Sequence, residues 1–120
     1  MLRRRRISPK GQLRKRILND LDSIGIPTDF ELDLRGYSKI YEGRYDSAKQ
    51  LVILYVEDEN GEFLPYSEII RVAIHEAIHH LQWQHDPNFV RIKGVMHNND
   101  FKQLLKIYTK RYRGLEESIC

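Results

Sequence analysis

The chain has 120 residues, 41% of them hydrophobic and 31% charged, the balance of one ordinary globular domain with a modest core. Its longest apolar run, Leu51 to Val56, is six residues, far short of a membrane span, and no apolar stretch follows Arg3-Arg4-Arg5-Arg6, so no secretory signal is expected and a cytoplasmic location is. The single cysteine, Cys120, excludes an intrachain disulfide framework and a cysteine-based zinc ribbon.

The net charge of +3 is unevenly spread. Residues 1–16 hold eight basic residues and no acid, leaving 12 basic and 17 acidic residues in the rest, a net of −5. A basic arm suits a polyanion such as DNA or RNA, because each neutralised phosphate releases counterions. A solubilising tail would have the same composition.

In chain order, Ser8-Pro9 is expected to open a helix, with Pro at its first position. Leu13, Ile17, Leu18, Leu21 and Ile24 recur at helical spacing, and Gly25 with Pro27 closes the segment. Phe30 to Arg35 alternates apolar and charged residues, as a half-buried strand does. Tyr41 to Tyr45 reads as a weaker second strand. Leu51 to Glu57 is the strongest strand, buried on both faces, and Glu59-Asn60-Gly61 is a turn. A long helix is expected from about Tyr66 to Trp83, capped by Ser67. A last helix, capped by Asn98, Asn99 or Asp100, runs to about Arg113, where Gly114 stops it. Its apolar stripe is Phe101, Leu104, Leu105, Tyr108 and Tyr112, with Lys102, Lys106, Lys110, Arg111 and Arg113 on the other side. The expected architecture is α+β: a short sheet packed against about three helices.

The chemistry concentrates in His75-Glu76-Ala77-Ile78-His79. Histidines four apart on a helix project about 40° apart, so both can present a ring nitrogen to one Zn²⁺. Glu76, about 100° around from His75, can reach a metal-bound water without being a ligand, the position of a general base. Ile70, Ile74, Ala77, Ile78 and Leu81 already form a full core stripe, so packing alone does not explain the histidines. For a third ligand, His80 points about 140° away from His75 and is expected to cap or pack. His85 has metzincin spacing, but Gln82 stands where a helix-breaking Gly would be needed. His97, 18 residues after His79 and beyond a loop, is the expected third ligand.

His75-Glu76-x-x-His79, the Leu81-Gln82-Trp83-Gln84 continuation and His97-x-x-x-Phe101 together resemble the SprT-like zinc metalloproteases, the family of the Spartan DNA–protein crosslink proteases. The likeness covers about residues 51–108, with Asn98 where the family has Gly. It implies a zincin-like domain over residues 17–120, preceded by the basic arm of residues 1–16 leading into the first helix. It also implies His75, His79 and His97 as zinc ligands, Glu76 as catalytic base, Phe101 packed behind the third ligand, and a protein or peptide substrate. The cysteines of the family's zinc ribbon are missing from these residues; the arm at residues 3–16 and the basic face of the last helix could take over contact with DNA or RNA. The strand at Leu51–Glu57, if at the sheet edge, could pair with substrate backbone. Tyr55, Tyr66 and Tyr108 are candidate oxyanion donors.

Two other functions fit parts of the pattern. His75-x3-His79-x5-His85 is similar to the YbeY-type metal-dependent endoribonucleases, which lack the Glu and carry Gly at the position of Gln82. A non-catalytic nucleic-acid-binding module with structural zinc is the other, although such sites usually have four protein ligands.

Overall fold

In a computed structural model, which describes residues 8–87, 89 and 99–119, the chain folds as three helices on a three-stranded mixed sheet. Helix α1, Pro9–Ser23, starts where Ser8 accepts a hydrogen bond from the Gly11 amide at 3.0 Å, satisfying a first-turn donor that has no intrahelical partner. Its residues Ile17 and Leu21 are buried, and Gly25 takes φ +88° at the exit, a conformation that costs glycine nothing. The basic segment is therefore helical from Pro9 onward, and part of its charge is used locally. Lys10 pairs with Glu57 at 3.4 Å, Arg14 donates to the Leu32 carbonyl, and Arg16 lies 3.5 Å from the centre of the Tyr66 ring. Arg3 to Arg6 lie outside the described residues.

Strands β1 (Glu31–Arg35), β2 (Gly43–Asp46) and β3 (Leu51–Tyr55) pair in the order β1-β3-β2. β1 runs parallel to β3, with Leu34 opposite Leu54; β2 runs antiparallel to it, with Tyr45 opposite Val52. The Leu51–Glu57 segment is thus the centre of the sheet and not its edge, because it is apolar enough to be covered on both faces: Val52, Ile53 and Leu54 are all buried. Among the described residues, the edges of the sheet are β2 on one side and β1 on the other.

Helix α2, Tyr66–His80, lies over β2 and β3 and packs against α1. Pro65, not Ser67, occupies the position before its first turn, and its carbonyl accepts from the amides of Glu68 and Ile69. The helix does not continue as α to Trp83: Leu81–His85 is a π-helical turn. Helix α3, Asn99–Ile119, passes straight through Gly114. Packing prevails over the weak propensity of one glycine there, since Tyr112 and Leu115 on either side both touch the core. Phe101 is the most deeply seated residue of α3, at 1% exposure. Among the described residues, no helix is long and apolar enough to cross a membrane.

Candidate metal centre

Ile70, Ala73, Ile74, Ala77 and Ile78 are buried and bind α2 to the sheet and to its neighbouring helices. His75 and His79 occupy the flank of that stripe, where α3 closes over them. Their rings meet edge to face at 5.1 Å between centroids, and ring nitrogens of both lie with a Glu76 carboxylate oxygen within 4.8 Å of one another. Phe101 holds both rings: it stacks on His79 at 4.5 Å and meets His75 edge-on at 4.9 Å. His79 is consequently buried at 4% exposure, deeper than a flank position on an isolated helix suggests, because α3 supplies a lid. His97, the expected third ligand, lies outside the described residues.

Glu76 is buried, and burial pushes its carboxyl up from 4.5 to about 7, since a charged carboxylate there loses hydration. With His75 it lines a cavity of about 700 Å³ between α2 and the loop after β1, whose far wall includes Tyr37, Ile40 and Tyr41. These three side chains are substantially exposed. The approach of β2 to this cavity depends on Gly43. A Cβ at residue 43 would fall 2.7 Å from Val72 Cγ1, 3.1 Å from the Ile53 carbonyl oxygen and 3.2 Å from Glu76 Cγ. A side chain there would force Val72 or the strand to shift, so glycine lets the edge strand run directly beside the Glu76 side chain.

Of the tyrosines named as oxyanion donors, Tyr66 donates its hydroxyl to Asp20 on α1, while the Tyr55 ring stacks on Tyr41 at 6.4 Å and Arg111 lies over Tyr108. Tyr41, which lines the cavity, had no pattern in the sequence to mark it.

A second group of metal-capable side chains converges at the far end of α2: Asp29, His80 and His85. His80 is fully buried. Its Nε2 lies 2.8 Å from Asp29 Oδ1 and its Nδ1 2.8 Å from the Tyr45 hydroxyl. His85 Nε2 lies 2.9 and 3.0 Å from the two Asp29 oxygens. Hydrogen bonds from His80 and then His85 hold the Asp29 carboxyl down at about 2, so it is ionised at any physiological pH. His80 packs, as its helical angle indicates, but it packs within a polar cluster. Asp29 carries no local signal, since its partners are 51 and 56 residues away.

No protein-family model, curated protein or solved structure matches the chain.

Proposed function

We propose that the protein is a zinc-dependent metallopeptidase of the HExxH type, as its resemblance to the SprT-like proteases implies, with His75, His79 and His97 as ligands and Glu76 as catalytic base. The observation that carries this reading is the convergence of two histidine rings and a buried carboxylate beside a cavity large enough for a peptide segment. The donor set suits zinc, which favours imidazole nitrogen and tolerates carboxylate oxygen. Bound there, zinc would contribute Lewis acidity and a water acidic enough to be deprotonated near neutral pH.

Glu76 takes the proton of the attacking water and passes it to the leaving amine. Burial raises the Glu76 carboxyl above its ordinary range in the metal-free chain, and a cation held by the neighbouring histidines would draw it back toward the ionised form that accepts a proton. Phe101 fixes the two histidine rings and keeps water from their inner side. An extended substrate pairs with the β2 edge of the sheet, where the absence of a side chain at Gly43 keeps the strand close to Glu76. Tyr37, Ile40 and Tyr41 offer apolar surface to a substrate side chain. Residues 3–16 and the exposed Lys102, Lys106, Lys110 and Arg113 row of α3 bring the enzyme to proteins associated with nucleic acid. The endoribonuclease reading needs His85 beside His75 and His79, whereas His85 is engaged with Asp29.

The test is Glu76→Gln. The variant should retain zinc and fold while losing hydrolysis of an unfolded protein such as casein by at least about 10²-fold, the usual size of a general-base contribution. Equal activity in variant and parent would remove Glu76 from the mechanism and leave a zinc-binding module.

A further inference from the structure

We propose that Asp29, His80 and His85 form a second zinc site, separate from the His75–His79 centre and able to bind metal without it. The three donors come from distant places: Asp29 just before β1, His80 from the last residue of α2, and His85 from the end of the π-helical turn. In a continuous α-helix, residues five apart point about 140° away from each other, and His85 would face away from His80. The π-helical turn Leu81–His85 changes this, because its i→i+5 repeat brings the sixth residue back over the first. The two rings consequently sit 5.3 Å apart. Turns of this kind are rare and concentrate at functional sites.

The donor atoms are close to metal geometry. Both Nε2 atoms sit on one carboxylate, at 2.8 and 2.9 Å from the same Asp29 oxygen. Tetrahedral zinc with bonds of about 2.0–2.1 Å needs ligand–ligand edges of about 3.4 Å, so each contact opens by roughly half an ångström on binding. Asp29 is exposed enough to make that swing and to admit the ion. His80 is held for the purpose by its other nitrogen: when Nε2 is a ligand, Nδ1–H donates to the Tyr45 oxygen, the supporting bond that metal-bound histidines characteristically make. Two imidazoles and one carboxylate select zinc over calcium or magnesium, which need more oxygen donors. Water would fill the remaining position.

The experiment is a zinc titration of the full chain after EDTA stripping and dialysis, with bound metal counted per chain and melting followed in parallel. The parent should bind two zinc ions. His85→Ala and Asp29→Asn should each bind one; His75→Ala should also bind one, and zinc should still raise its melting temperature. The double variant His75→Ala/His85→Ala should bind none. A parent that binds one ion, retained by His85→Ala and lost by His75→Ala, would overturn the second site and leave the proposed peptidase centre intact. The reverse pattern, one ion lost by His85→Ala and kept by His75→Ala, would support the second site and count against the peptidase reading. Since His85 and Asp29 are both solvent-accessible, circular dichroism of their variants should match the parent. Loss of both ions in His85→Ala with an intact fold would also overturn separateness, because it would make the two groups one site.

Discussion

A Glu76 carboxylate oxygen lies within 4.8 Å of ring nitrogens of both histidines, yet burial is what holds the carboxyl near neutrality. In metal-free protein this has a consequence of defined sign. The folded-state value of about 7 lies above the unfolded value of 4.5, so the stabilising form is the protonated one. Its contribution is fully present below about pH 4.5 and is lost as pH rises through about 7, by about 3 kcal/mol in all. Glutamine at residue 76 does not titrate. In EDTA-treated protein, Glu76→Gln should therefore gain stability over the parent as pH rises from about 5 to about 8.5, read from urea midpoints. A gap that stays constant across that range would mean that the carboxylate remains hydrated. Bound zinc should suppress the effect, because the nearby cation favours the charged form.

Two glycines show how an element's surroundings decide what a residue does. Gly43 brings the edge strand so close to α2 that a methyl group would have to displace Val72 or the strand. Gly43→Ala should push β2 away from Val72 and Glu76 and cost about 1–3 kcal/mol, an overpacking cost, and under the proposed function it should reduce peptide hydrolysis more than zinc content. Chemical denaturation and metal analysis of the same variant check the two halves of that statement. Gly114 is the opposite case. It is exposed in mid-helix, and a Cβ there meets nothing within 4 Å, so Gly114→Ala should stabilise by about 0.5–1 kcal/mol through helix propensity alone. A loss of stability instead would show that α3 needs the glycine for a bend.

At the scale of the whole molecule, 13 of the 20 basic residues fall in two places, eight in residues 1–16 and five in α3. Of the five, Arg111 is used internally, since it donates to the Ile24 carbonyl and ties α3 to the end of α1. Lys102, Lys106 and Lys110 are exposed at four-residue spacing and form one row. If nucleic acid is the platform on which substrates are met, replacing these three lysines with Gln should lower the magnitude of the slope of log K against log salt. The change should be about 0.9 for each duplex phosphate contact removed. An unchanged slope would assign the lysine row to solubility.

Elements whose apolar spacing matches one regular structure were legible from the chain alone: α1 by its 3–4 repeat and Ser8 cap, β3 by its apolar run, and α2 by its core stripe beside His75-Glu76-x-x-His79. Local chemistry sufficed because each signal lies within one turn or one strand. The place of β3 at the sheet's centre, the passage of α3 through Gly114 and the π-helical turn after His80 were not legible in this way. Each depends on what packs against the segment, and neighbours in space leave no period in the sequence. The same holds for the candidate sites: the His75–His79 pair is one helical turn and could be read directly, while the Asp29 cluster exists only because the fold closes more than fifty residues of chain onto the end of α2.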